Sequence, residues 1–208
     1  MKDDMLPAPR LAPLPPDHDP DLTEYFAKLE KRNGYLPNSQ LTMQRRPKLL
    51  KAYAQLSAAV WDPEGSVDLG FRRLIGHVAS RAAGCQYCMA HTAGHALHSE
   101  SVDEAKLAAV WEYRTSPLFS AAERAALDVA LAAGQVPNDV TDGMFAELRK
   151  HWNEGEIVEI VAVIALFGYL NRWNDTMATP LESDPVEVGE KHLAAMGWSV
   201  GKHARRVS

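Results

Sequence analysis

Cysteine is almost missing from this chain, with two among 208 residues. That excludes a disulfide-built scaffold. Positive charge is also short. Lys and Arg number 22 against 27 Asp and Glu, for a net charge of −5, so no basic surface is on offer to nucleic acid. The one basic cluster, residues 202–206, is short and terminal. Long apolar runs are lacking too: the most apolar stretch, residues 157–170, is interrupted by Glu159 and falls below the roughly 20 residues of a membrane span. Nothing near Met1-Lys2-Asp3-Asp4 reads as a secretory leader, and prolines interrupt the stretch from Leu6 to Pro16. Clean alternation of apolar and polar residues between turns is missing as well, which removes the usual strand signal. These absences imply a cytoplasmic protein in a reducing compartment. Its two cysteines then work as a redox or metal pair.

What is present is an ordinary core composition, 46% hydrophobic and 24% charged, enough for a single domain. Pro7, Pro9, Pro13, Pro15, Pro16 and Pro20 make residues 1–20 an extended N-terminal arm, either a surface tail or a strap over a neighbouring subunit. Residues 21–208 read as one helical domain. Asp21 and Glu24 propose a capping box for a helix ending at Gly34. Pro47 opens a second long helix, and Asp68 caps another. Ser101 with Glu104, and Ser120 with Glu123, repeat the capping-box pattern. Thr141 starts a helix through Trp152. Residues 156–175 form the most hydrophobic helix, apolar on nearly all sides and therefore central. A last helix covers about residues 185–196. The fold class is all-α, with about eight to ten helices joined by short turns.

Both cysteines fall in Gly84-Cys85-Gln86-Tyr87-Cys88-Met89-Ala90-His91-Thr92-Ala93-Gly94-His95. On a helix, residues advance about 100° each, so Cys85, Cys88, His91 and His95 share one face. A C-x-x-C at a helix start suits dithiol chemistry, because exposed N–H groups and the helix dipole stabilise a thiolate. A thiolate attacks a peroxide or a disulfide, and the second cysteine resolves the product. His91, one turn beyond Cys88, is placed to pass the proton. Zinc is the competing reading of the same ligand types. One straight helix rises about 15 Å from Cys85 to His95 and cannot bring four ligands to one ion. Zinc would need an irregular backbone, or ligands such as His77 or His98. A third, purely structural alternative packs the cysteines in a core and leaves the histidines on the surface.

The stretch from Gly84 to Thr92 resembles the active-site signature of the carboxymuconolactone decarboxylase / alkylhydroperoxidase D-like (AhpD-like) family, in its peroxidase-related branch. The preceding helix and the apolar helix through Asn171-Arg172 also resemble that family, over roughly residues 40–175. The resemblance implies an AhpD-like helical bundle, assembled as a homo-oligomer, with no cofactor and no bound metal. It implies a thiol-dependent hydroperoxidase or disulfide reductase in which Cys88 attacks the hydroperoxide, Cys85 resolves, and a thiol reductant system reduces the disulfide. Two departures stand out. The family's relay glutamate, twelve residues before the first cysteine, is Arg73 here. Its relay histidine, four residues after the second cysteine, is Thr92, with His91 beside it. His95, His77 and Glu159 are candidates for the vacant relay role. Two alternatives stay open: a non-redox AhpD-like protein that acts on or binds a small molecule, and a zinc-binding oligomer. Arg172, Asn171 and Asn174 read as the C-terminal cap of the central helix, and the five tryptophans as core or subunit contacts.

Overall fold

The structure, a computed structural model, describes residues 6–205. Among them the chain forms ten α-helices and no strand. The helices are α1 (Thr23–Asn33), α2 (Asn38–Met43), α3 (Pro47–Val60), α4 (Leu69–Ala82), α5 (Gln86–Leu97), α6 (Glu104–Ala108), α7 (Ala121–Ala133), α8 (Asp142–Leu148), α9 (Glu154–Met177) and α10 (Ser183–Val188). None is long and apolar enough to cross a membrane.

Local chemistry explains most of the boundaries. Asp68 accepts from Phe71 N (2.7 Å) and starts α4. Ser120 and Glu123 form the expected capping box of α7. Asn153 and Glu156 form another, which starts α9 two residues earlier than its apolar run suggests. Other caps differ from the sequence expectation. Asp19, not Asp21, caps the first turn, because Pro20 places a short 3-10 segment before α1. Asp103 caps α6, and Ser101 Oγ instead donates to Asp68 Oδ1 (2.6 Å). A short side chain serves whichever unpaired donor or acceptor lies nearest, and a four-residue pattern does not reveal which that is. The expected last helix is broken: α10 stops at Val188 and continues as a π turn and a 3-10 turn to Met196.

The core is built on α4, which packs against α5, α7 and α9. Leu74, Ile75 and Val78 of α4 are fully buried against Leu127 of α7 and Ile160 and Val163 of α9. Small residues permit the close approach. A Cβ on Gly76 would lie 2.3 Å from the Phe167 ring, and one on Gly134 would lie 2.7 Å from the Ala79 carbonyl oxygen. The second contact is to backbone, which cannot rotate away. Gly134→Ala is therefore expected to destabilise the protein by about 1–3 kcal/mol, read as a lower urea midpoint at constant slope.

Helix α9 is central along one side only. Ile157, Ile160, Val163 and Phe167 are buried, while Val158 (67% exposed), Val161 (40%) and Tyr169 (37%) form an outward apolar strip. Apolarity around the whole helix overstates its burial inside this one chain. A smaller second core of Leu22, Phe26, Leu29, Leu41, Met43 and Leu50 holds α1 to α3 together. The N-terminal arm lies along it. Leu14 N donates to Leu41 O (3.2 Å), and Gln44 Nε2 reaches the carbonyls of Leu14 and Pro15. Arg10 donates to Thr176 O (2.7 Å). The described part of the arm is thus pinned to its own chain.

Candidate active site

The site begins where α4 ends. Gly84 adopts φ 73°, a left-handed conformation open to glycine at no steric cost, and turns the chain sharply. Cys85 follows as the N-cap of α5 in an extended conformation, held by its own N–H to Ser80 O (3.0 Å). Its Sγ faces the Cys88 N–H at 3.5 Å. Cys85 and Cys88 are unpaired as a disulfide, and both are buried. Cys88 Sγ also receives the Asn174 Nδ2 donor of α9 at 3.5 Å. Burial, and after it the Cys85 neighbour, pushes the Cys88 thiol well above its ordinary range. The expectation that the helix start lowers this thiol is overturned in the closed site. Desolvation of a thiolate in an apolar core outweighs a partial dipole charge.

His91 projects from the next turn of α5. Its Nε2 meets Glu182 Oε2 at 2.8 Å, and its Nδ1 meets Tyr35 OH at 3.1 Å. Both ring nitrogens are therefore engaged, and neither contacts a thiol. Glu182 is the residue before α10. It does not cap that helix with its side chain but reaches across to α5 and α2. Its Oε1 accepts from Asn38 N (2.5 Å) and from Tyr87 OH (2.8 Å). The Tyr87 ring stacks on His91 with centroids 4.4 Å apart. If His91 Nε2–H donates to the carboxylate, Nδ1 is left to accept the Tyr35 hydroxyl proton. The four side chains then form one continuous line of hydrogen bonds. Burial, with Glu182 adding to it, raises both phenols above their usual range.

Glu182 is the carboxylate that the sequence did not disclose. It lies far along the chain from the cysteines and carries no spacing signal. Tyr87 was findable: it precedes His91 by four residues and so shares its helix face.

The other relay candidates go elsewhere. His95 sits beside His91, with ring centroids 6.3 Å apart. Burial, then the charge of Arg73, pushes its pKa well below the usual range. Arg73 lays its guanidinium 3.5 Å over the Trp61 ring. Glu159 accepts from Ser66 N and Val67 N, both at 2.9 Å, and so ties the α3–α4 loop to α9. A carboxylate in an apolar helix found partners in a loop, not in the site. Asn171, Arg172 and Asn174 do not cap α9, which runs on to Met177.

His77 faces the other side of α5. Its Nδ1 lies 3.1 Å from Met89 O and 3.0 Å from Thr92 Oγ1. A carbonyl only accepts, so Nδ1 carries the proton and Nε2 is the bare nitrogen, buried without a partner. Burial lowers the His77 pKa from 6.5 to about 4. Between those values the unfolded chain binds a proton that the folded chain refuses, so stability falls as pH drops from 6.5 towards 4. The full effect is roughly 3 kcal/mol. Denaturant titrations across this range should show the slope, and His77→Asn, which keeps the donor to Met89 O, should flatten it.

A third group of residues lies on the far side of Cys85. Cys85 Sγ, a carboxylate oxygen of Asp175 and a ring nitrogen of His203 all fall within 4.8 Å of one another. None of the ligand combinations readable around the motif is assembled this way among the described residues. Two adjoining grooves, of about 750 and 440 Å³, run between α9 and the segment after α7. Cys88 and His91 line neither, but Asp175 lines the smaller one.

Residues 47–132, which include the cysteine motif, match the carboxymuconolactone decarboxylase family. The debrominase Bmp8, in its apo form, aligns at TM-score 0.80 and 34% identity over 86% of this chain and 96% of its own. A cysteine-to-alanine variant of Bmp8 in complex with 2,3,4-tribromopyrrole aligns at 0.81 and 33%, over 87% and 96%. An uncharacterized peroxidase-related protein from Silicibacter sp. TM1040 shares the fold at TM-score 0.72 and 22% identity, over 88% and 96%. The protein YnjA of Escherichia coli (strain K12) is 32% identical over 111 residues, 53% of this chain and 60% of YnjA.

Proposed function

Given that the chain belongs to the carboxymuconolactone decarboxylase / AhpD-like family, we propose that it is a dithiol oxidoreductase, a thiol-dependent hydroperoxidase or disulfide reductase. One observation carries this reading. Two free thiols stand one helical turn apart at the start of α5, and the next turn carries a partly buried His91–Glu182 pair.

In the proposed cycle Cys88 Sγ attacks the terminal oxygen of a hydroperoxide. The O–O bond breaks, the thiol proton passes to the leaving alkoxide, and Cys88 becomes a sulfenic acid. Because the thiol is protonated at rest, attack draws on a small thiolate fraction, and the proton given up returns to the leaving alkoxide. His91, with Glu182 and Tyr35 behind it, supplies and recovers protons one turn along α5 from Cys88. Cys85 Sγ then attacks the Cys88 sulfur, water departs, and a disulfide forms. A dithiol reductant returns two electrons and two protons. Glu182 takes the relay role vacant at Arg73. The α9 strip of Val158, Val161 and Tyr169 is the surface that a homo-oligomer would cover.

The likeness to Bmp8 favours a second reading with the same electron count. A dithiol that donates two electrons can remove a halogen from an electron-rich ring: sulfur takes the bromine, the ring carbon takes a proton, and the second thiol expels bromide as the disulfide closes. Stopped-flow mixing of reduced protein with cumene hydroperoxide, and separately with a brominated pyrrole, tests both readings. Rapid disulfide formation with the peroxide supports the first reading, and with the pyrrole the second. If the dithiol survives both reagents, both substrate assignments are wrong.

A further inference from the structure

Cys85, Asp175 and His203 come from three separate parts of the chain: the start of α5, the last turn of α9 and the turn at Gly201–His203. Their donor atoms lie within 4.8 Å of one another. His203 is 1% exposed and Cys85 is fully buried.

The orientation of each side chain is settled by a further contact. His203 Nδ1 lies 2.8 Å from Thr179 O. A carbonyl only accepts, so the ring proton sits on Nδ1 and the Nε2 lone pair points inward. Asp175 Oδ2 is held by Lys202 Nζ at 2.7 Å, which leaves Oδ1 facing the group. Oδ1 and Nε2 stand 3.5 Å apart. That separation is too long for a good hydrogen bond, and neither atom has another partner among the described residues. With the ring neutral, two lone pairs face each other, and both atoms are shielded from water, so they repel without compensation. A cation between them removes both costs.

We propose that Cys85, Asp175 and His203 form a binding site for a divalent zinc-class metal ion. Thiolate, imidazole and carboxylate are the donors zinc takes, and three protein ligands leave its fourth position open. Ligands on one tetrahedral zinc lie about 3.3–3.8 Å apart. Oδ1 and Nε2 already have that spacing, and Cys85 Sγ lies within 4.8 Å of both. The contacts to Thr179 O and Lys202 are the outer supports that fix a ligating histidine and carboxylate. Asp175 also lines the 440 Å³ groove, which gives an ion a way in. Binding releases the Cys85 thiol proton, and the thiolate and carboxylate together balance the charge of the ion itself.

The consequence for catalysis rests on the dithiol reading. A Cys85 thiolate held by metal cannot attack a Cys88 sulfenic acid, so zinc switches the dithiol off and a chelator restores it.

Cobalt titration of the reduced, full-length protein tests the site without turnover. One cobalt per chain is expected, with a thiolate charge-transfer band and strong tetrahedral visible bands. Cys85→Ser should abolish the band. Asp175→Asn and His203→Asn should each weaken binding at least tenfold. Asn at position 203 can still donate to Thr179 O, so the fold is retained, and circular dichroism checks it. Cys88→Ser should bind as the parent does. The site is overturned if excess cobalt produces no charge-transfer band. It is also overturned if Cys88→Ser abolishes binding while His203→Asn retains it, since that is metal held by the C-x-x-C pair alone. Cobalt binding without peroxide turnover keeps this inference and removes the hydroperoxidase reading; turnover without cobalt binding does the reverse.

Discussion

Cys88→Ser is expected to lower peroxide-driven turnover by about a thousandfold or more, the scale seen when a nucleophile is removed. Cys85→Ser should behave differently. Its Cys88 still reacts once, but no second thiol closes the disulfide, so a sulfenic acid accumulates. A sulfenic-acid trap followed by mass spectrometry of the peptide spanning 85–88 distinguishes the two variants. Trapping at Cys85 in Cys88→Ser, with turnover retained, would reverse the assignment. The raised Cys88 pKa adds a pH signature. Free cysteine plateaus near pH 8.5, whereas here the rate should still climb past that point, about tenfold per pH unit while the thiol predominates. A plateau near neutrality would mean that burial does not govern this thiol in solution.

Glu182→Ala is expected to carry the largest stability loss of any single change at the site, about 3–5 kcal/mol. The carboxylate side chain is 8% exposed. It serves three donors at once: Asn38 N, Tyr87 OH and His91 Nε2. Removing it leaves all three without an acceptor in a region with little water, and it unties α10 from α2 and α5. Glu182→Gln keeps one oxygen acceptor and the side-chain volume, so roughly half of the loss should return. Urea unfolding at neutral pH measures both variants. Near-equal stability of Glu182→Ala and the parent would remove Glu182 from the site's framework. The activity readout is separate. With Gln present the His91 ring loses its carboxylate partner, so turnover should fall even where the fold is kept.

Much of the fold was legible because helices announce themselves locally. Pro47, Asp68, Ser120 with Glu123, and Thr141 each mark a helix start where the structure places one. These signals act within a few residues, the range over which a side chain can reach an unpaired backbone group. Where two short polar residues competed, as at Asp19 and Asp21 or Ser101 and Asp103, the winner depended on the turn geometry.

By itself the sequence determined the all-α class, the position of the dithiol at a helix start and the placing of His91 one turn further on. Periodicity and capping act along the chain, so each of these comes from neighbours in sequence. Only the tertiary structure decided what surrounds the dithiol. Glu182 answers His91, Asn174 reaches Cys88, and Asp175 with His203 closes on Cys85. These partners lie 86 residues or more from the cysteine or histidine they meet. No local pattern encodes a contact that forms only when α9 and the segment after it fold back across α5. Burial has the same origin. The helix start at Cys85 suggested an acidic thiol, but packing against α9 decided that Cys88 rests protonated.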